Sequence, residues 1–72
     1  MTVFFKAPDA SHINEFGYDR QKKELIVKYT FGDYRYKDVP NDIFLQLAQT
    51  KSKGQFLNSS IKGKYGFEKI EK

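Results

Sequence analysis

Seventy-two residues with seven Phe, five Tyr and no cysteine make one small domain that must be held by packing alone, without disulfides or thiolate metal sites. No apolar run approaches the ~20 residues of a membrane span, and Met1–Lys6 is too short an apolar stretch for a secretory signal, so the expectation is a soluble cytoplasmic protein. Residues 1–50 carry seven basic and seven acidic side chains, whereas residues 51–72 carry six lysines against Glu68 and Glu71, so the net charge of +4 resides in the last third. A balanced body with a cationic, aromatic-studded end points to a surface for polyanions.

Residues 1–10 read as an N-terminal arm, with Ala7-Pro8-Asp9-Ala10 as turn chemistry. Ser11 to Tyr18 reads as a first strand anchored by Ile13 and Phe16. Their spacing of three breaks strict alternation and predicts a bulge. Asp19 to Lys23 is a polar turn. Leu25, Val27, Tyr29 and Phe31 then alternate with Ile26, Lys28 and Thr30, the period of a strand.

Gly32-Asp33 offers a two-residue hairpin loop with Gly first. That turn would set Tyr29 opposite Tyr36, Thr30 opposite Arg35 and Lys28 opposite Lys37. One face then collects Leu25, Val27, Tyr29, Phe31, Tyr34 and Tyr36, and the other is cationic through Lys28, Arg35 and Lys37. Like charges placed directly opposite are mildly unfavourable, so this second face is expected to be solvated or to hold an anion.

Val39-Pro40 leads into a helix with Asp42 near its positive end, and Ile43, Phe44, Leu47 and Ala48 form its apolar stripe, ending near Thr50 or Lys51. Ser52 and Gln55 fit the capping box of a second, short helix that buries Phe56, Leu57 and Ile61 and stops at Gly63. Tyr65 to Ile70 is a short final strand or a tail. The expected fold is α+β, a three-stranded antiparallel meander packed on one longer and one short C-terminal helix, with a possible extra C-terminal strand. Residues 1–72 are one domain, with 11–65 as its core and 66–72 as its tail.

The order Ser11-x-Ile13, Phe16-Gly17-Tyr18-Asp19, Tyr34-Arg35-Tyr36, Val39-Pro40, Ser52-x-Gly54-x-Phe56-x-Asn58, Ile61-Lys62 and Tyr65 resembles the KTSC domain. That small domain occurs at the C-terminus of some lysyl-tRNA synthetases and as free-standing bacterial and phage proteins. The resemblance covers residues 11 to about 65 and implies RNA as a partner through the synthetase context. The sequence departs from the family at Ala10, where a second Ser is frequent, and at Phe56-Leu57, where two aromatics are frequent.

Lys51, Lys53, Lys62 and Lys64, with Arg35 and Lys37, are the candidate phosphate grips. Lys62-Gly63-Lys64-Tyr65 sets two ammonium groups and a ring around a flexible residue, with Tyr65 as the stacking candidate. Tyr34 and Tyr36 read as core rings, or else as a stacking platform if their face is open. Asn58, Ser59 and Ser60 read as structural polar residues.

Asp9, Ser11 and His12 have the residue types of a hydrolytic triad but lie too close together on one arm to converge, and no oxyanion or phosphate-loop motif accompanies them. His12 is the only histidine, so a histidine metal cluster is excluded within one chain. The sequence therefore points to a non-catalytic nucleic-acid-binding module without cofactor or metal, RNA ahead of DNA. The alternative is a protein-interaction module, a small phage or bacterial accessory protein docking on a larger enzyme through exposed rings such as Phe4, Phe5 or Phe67.

Overall fold

The computed structural model describes residues 3–7 and 10–70, with Val3 described by its backbone alone. The β1 strand (Val3–Lys6) is followed by β2 (Ile13–Asp19), β3 (Glu24–Tyr29) and β4 (Gly32–Tyr36). Helix α1 (Asn41–Gln49) comes next, then a short α2 (Lys53–Phe56) that widens into a π-helical turn over Leu57–Ile61, and last β5 (Phe67–Ile70). The five strands form one antiparallel sheet in chain order, β1-β2-β3-β4-β5. The expected meander is its centre. The presumed arm supplies one edge, and the C-terminal segment supplies the other. Among the described residues no helix is long and apolar enough to cross a membrane.

The bulge expected in the first strand lies between Ile13 and Glu15, and it lets Ile13 and Phe16 both reach the core despite their spacing. The hairpin register differs from expectation. Tyr29 closes the turn against Gly32, with Val27 opposite Tyr34 and Leu25 opposite Tyr36, so the loop is Thr30-Phe31 rather than Gly32-Asp33. The two registers differ by four residues. An even shift leaves every side chain on its own face, so the hydrophobic alternation fixes the faces and is silent on which pairs form. Gly32 begins β4 with φ at +151°, backbone that side-chain-bearing residues rarely adopt.

The shift rewrites the electrostatics of the outer face. Lys28 stands between Glu15 on β2 and Asp33 on β4, with its ammonium 4.4 Å from the centre of the Phe4 ring. Arg35 lies 3.6 Å from Glu24 and 2.5 Å from Glu68, and Glu68 is also 3.9 Å from Lys37. The cationic face expected from Lys28 opposite Lys37 is instead a lattice of alternating charges.

Both helical segments pack on the inner face. Phe44 of α1 stacks on Tyr18 at 4.8 Å and lies 6.0 Å from Phe16 and 6.1 Å from Phe5, covering β1 and β2. The Tyr18 hydroxyl donates to the Val39 carbonyl and ties the start of the helical layer to β2. Leu25, Val27, Tyr36, Val39, Leu47, Leu57 and Ile61 form the fully buried centre. Ala48, expected in the apolar stripe of α1, faces solvent, and Leu47 is the one buried residue of that helix.

The expected capping box does not form, because no side-chain bond caps α2 at Ser52. The following turn closes through the Lys62 amide donating to the Leu57 carbonyl at 2.7 Å, the five-residue reach of a π turn, which keeps Leu57 and Ile61 in the core. Gly63, with φ at +84°, ends it as expected.

Candidate nucleic-acid interface

The β4–β5 end of the inner face is left partly open, with Tyr34 half-buried and Phe67 exposed. By the pairing, Tyr34, Tyr36 and Phe67 share that face with Tyr29, and Phe31 projects from the hairpin tip beside them. The rings touch in sequence. Phe31 stacks on Tyr29 at 4.9 Å, Tyr34 meets Phe31 edge-on at 6.1 Å, and Phe67 lies 5.8 Å from Tyr34 and 5.9 Å from Tyr36. Tyr36 is buried and belongs to the core, whereas Tyr34 is half-buried and forms the floor of an open cleft. Phe31 and Phe67 are 59% and 58% exposed, far more than packing within the domain requires.

The cleft encloses about 340 Å³ and is lined by Tyr29, Phe31, Tyr34, Tyr36, Phe67 and Lys62. Its one charged lining residue is Lys62, whose ammonium sits 5.0 Å from the centre of the Tyr29 ring. The π turn aims it there, since Lys62 follows the buried Ile61 directly and its own amide closes the turn. At the base of the cleft the Tyr29 and Tyr36 hydroxyls bond to each other at 2.8 Å. Burial pushes both phenols up, strongly so for Tyr29, where the bond to Tyr36 adds to the rise, whereas for Tyr36 the same bond works against it.

Lys69 pairs with Tyr34, and its side chain crosses Gly32, with Cε 3.2 Å from where a Cβ would stand. It lines a separate recess with Glu15, Lys28 and Asp33 rather than the aromatic cleft. Only the β4–β5 pairing brings it there.

The seven residues proposed from the sequence are not brought together. Lys62 lines the cleft, with Lys64 exposed two residues on. Tyr65, the expected stacking ring, is half-buried against the core instead. Lys51 and Lys53 line a shallow groove with Ser11, His12 and Gly54. There Lys53 donates to the Thr50 carbonyl at 2.8 Å and lies 5.8 Å from the Phe16 ring. Arg35 and Lys37 sit on the outer face among Glu24 and Glu68.

Of the three polar residues in the π turn, Ser59 donates to the Gln55 carbonyl at 2.9 Å, a structural role as expected, while Asn58 is exposed. Asp9 lies outside the described residues. Among the described residues no group of three or more His, Asp or Glu could hold a metal ion.

The KTSC domain profile matches residues 9–65 of this sequence. A lysine–tRNA ligase from Nostoc punctiforme is 36% identical over 64 residues, which make up 88% of this chain and 11% of that enzyme. One from Trichormus variabilis is 33% identical over the same shares, so the chain spans a small fraction of the length of these ligases. A protein from Tsukamurella paurometabola is 33% identical over 79% of this chain and 87% of its own length. The crystal structure of a KTSC domain protein from Yersinia pestis superposes with a TM-score of 0.92 at 29% identity, covering 99% of this chain and all of that one. The profile match across most of the sequence and the shared five-stranded fold lead to one conclusion, that this chain belongs to the KTSC domain family.

Proposed function

We infer that this chain is a small, non-catalytic nucleic-acid-binding module, with RNA as the favoured ligand. The observation that carries this reading is the cleft itself, an open aromatic surface whose one charged lining residue is a lysine. Lysine and exposed aromatic rings side by side are the combination that holds a nucleic-acid strand, the cation on phosphate and the rings on bases. RNA ranks ahead of DNA because two of the relatives are lysine–tRNA ligases. Lys62 and Lys64 are the primary phosphate grips, with Lys51 and Lys53 as a second cationic group beyond the hairpin tip. Arg35 and Lys37 contribute least, since carboxylates already surround them.

The reading is tested by fluorescence anisotropy of labelled single-stranded RNA, tRNA and duplex DNA over a salt series. Affinity for RNA should fall steeply as salt rises. The variant carrying Lys62→Glu and Lys64→Glu should bind at least tenfold more weakly with an unchanged melting temperature, because both side chains are exposed. Equal affinity in that variant would remove this surface from the account. The exposure of Phe31 and Phe67 favours the second reading, a protein-docking module, and absence of RNA binding even at low salt would leave that reading in place.

A further inference from the structure

We propose that the aromatic cleft holds an unpaired nucleotide, its base stacked on the exposed rings of Phe31 or Phe67 above Tyr34 and its phosphate on Lys62. This inference rests on the nucleic-acid reading and narrows it to single-stranded segments. It starts from Phe31. A two-residue hairpin loop ordinarily takes Gly, Asn or Asp, because these tolerate the backbone the turn demands. Here the loop is Thr30-Phe31, and the glycine stands one residue later, at Gly32. A large apolar ring at the tip of a tight turn serves no need of the hairpin. One of its faces rests on Tyr29, and with the residue 59% exposed the other is open to solvent. Phe67 repeats the pattern on β5, touching Tyr34 and Tyr36 while remaining 58% exposed.

Four features select the occupant. The walls are flat rings, which favour a planar ligand. The volume of about 340 Å³ lies at the small end of ligand clefts, roughly 300–1,000 Å³, and suits one or two planar groups rather than a folded surface. The lining residues include a lysine and no carboxylate, so the ligand carries negative charge. Finally, the cleft is a recess between β4, β5 and the π turn. A base within a duplex shows only its edges to such a recess, whereas an unpaired base can turn its face to the rings. A planar group joined to a phosphate and free to leave its stack is an unpaired nucleotide. An acidic peptide with an aromatic side chain would share the charge, and a cleft built for one would bind no RNA even at low salt.

The test compares a ten-residue single-stranded RNA with an RNA duplex of equal length, using wild type, Phe31→Ala, Phe67→Ala and Phe31→Tyr. Both phenylalanines are exposed, so the alanine variants should keep the wild-type circular dichroism. Single-stranded RNA should bind at least tenfold tighter than duplex. Each alanine variant should weaken single-strand binding by about 5- to 150-fold, the stacking contribution of one base, with the salt dependence unchanged. Phe31→Tyr should restore most of the affinity. In NMR spectra the base protons of the bound RNA should move upfield from ring currents.

If the alanine variants bind single strands as wild type does while steep salt dependence persists, phosphate binding stands and the stacking site is overturned. Equal affinity for duplex overturns it in the same way. If no RNA binds at low salt, the nucleic-acid reading and this inference fail together.

Discussion

The Tyr29–Tyr36 hydroxyl pair gives the most quantitative test of the core. Tyr29 stands opposite Gly32 and Tyr36 opposite Leu25, so the two residues lie diagonally across the hairpin. Their rings must lean toward each other along the strands for the hydroxyls to meet at 2.8 Å. Both residues are buried, at 6% and 1% exposure, so a hydroxyl that loses its partner has little water to replace it.

Tyr36→Phe keeps the ring and its contact with Phe67, and Tyr29→Phe keeps the stack on Phe31, so neither change opens a cavity. Each single variant removes one bond and strands one buried hydroxyl, which costs about 1–3 kcal/mol. In a domain of this size that lowers the melting temperature by about 4–8 °C per kcal/mol. The double variant strands nothing, so its stability should return to within about 1 kcal/mol of wild type. Urea denaturation of the four proteins closes the cycle, and the coupling should be favourable and at least as large as a single loss. A double variant as unstable as the sum of the singles would refute the reasoning, since each hydroxyl would then have its own separate partner.

Two further outcomes follow from the backbone and from the buried phenols. Gly32→Ala should destabilise by about 1–3 kcal/mol in thermal melts, because φ at +151° strains any side chain, while Gly54→Ala, in a helix with open space around it, should stabilise by about 0.5–1 kcal/mol. Equal effects at the two sites would refute the assigned turn. Burial raises the phenols of Tyr18, Tyr29 and Tyr36 above the ordinary value near 10. As pH climbs past about 10 the unfolded chain loses these protons first, so the stability of the neutral buried rings is intact below that pH and is lost above it. Each phenol that ionises only in the unfolded chain costs about 1.4 kcal/mol per pH unit. A melting temperature that stays flat from pH 9 to pH 11.5 would contradict the burial of these hydroxyls.

Local physics made much of this fold legible. The Ile13–Phe16 spacing announced the bulge, the stripe through Ile43, Phe44 and Leu47 announced α1, and Gly63 marked the end of the second helical segment. What escaped depends on distant parts of the chain. Val3–Lys6 becomes a strand only because β2 offers an edge, and four residues are too few to show a period. The hairpin register was ambiguous between even shifts, and Gly32 drew the turn two residues too late. Lys62 was legible as a candidate because it lies in a basic run next to a glycine. Phe31 read as the last residue of a core strand, and its position at the tip follows only from the true register. Lys69 could not be placed until β5 was paired with β4.

The register also determines where the excess charge can act. In the expected pairing, Lys28, Arg35 and Lys37 would have formed one cationic outer face that rivalled the C-terminal lysines. In the observed pairing, Glu15, Asp33, Glu24 and Glu68 alternate with those cations. The outer face therefore offers an anion little net attraction. The inner cleft is lined by Lys62 without a carboxylate among its lining residues. On the proposed reading, a polyanion would therefore be drawn to the inner face, where Lys62 stands among open rings.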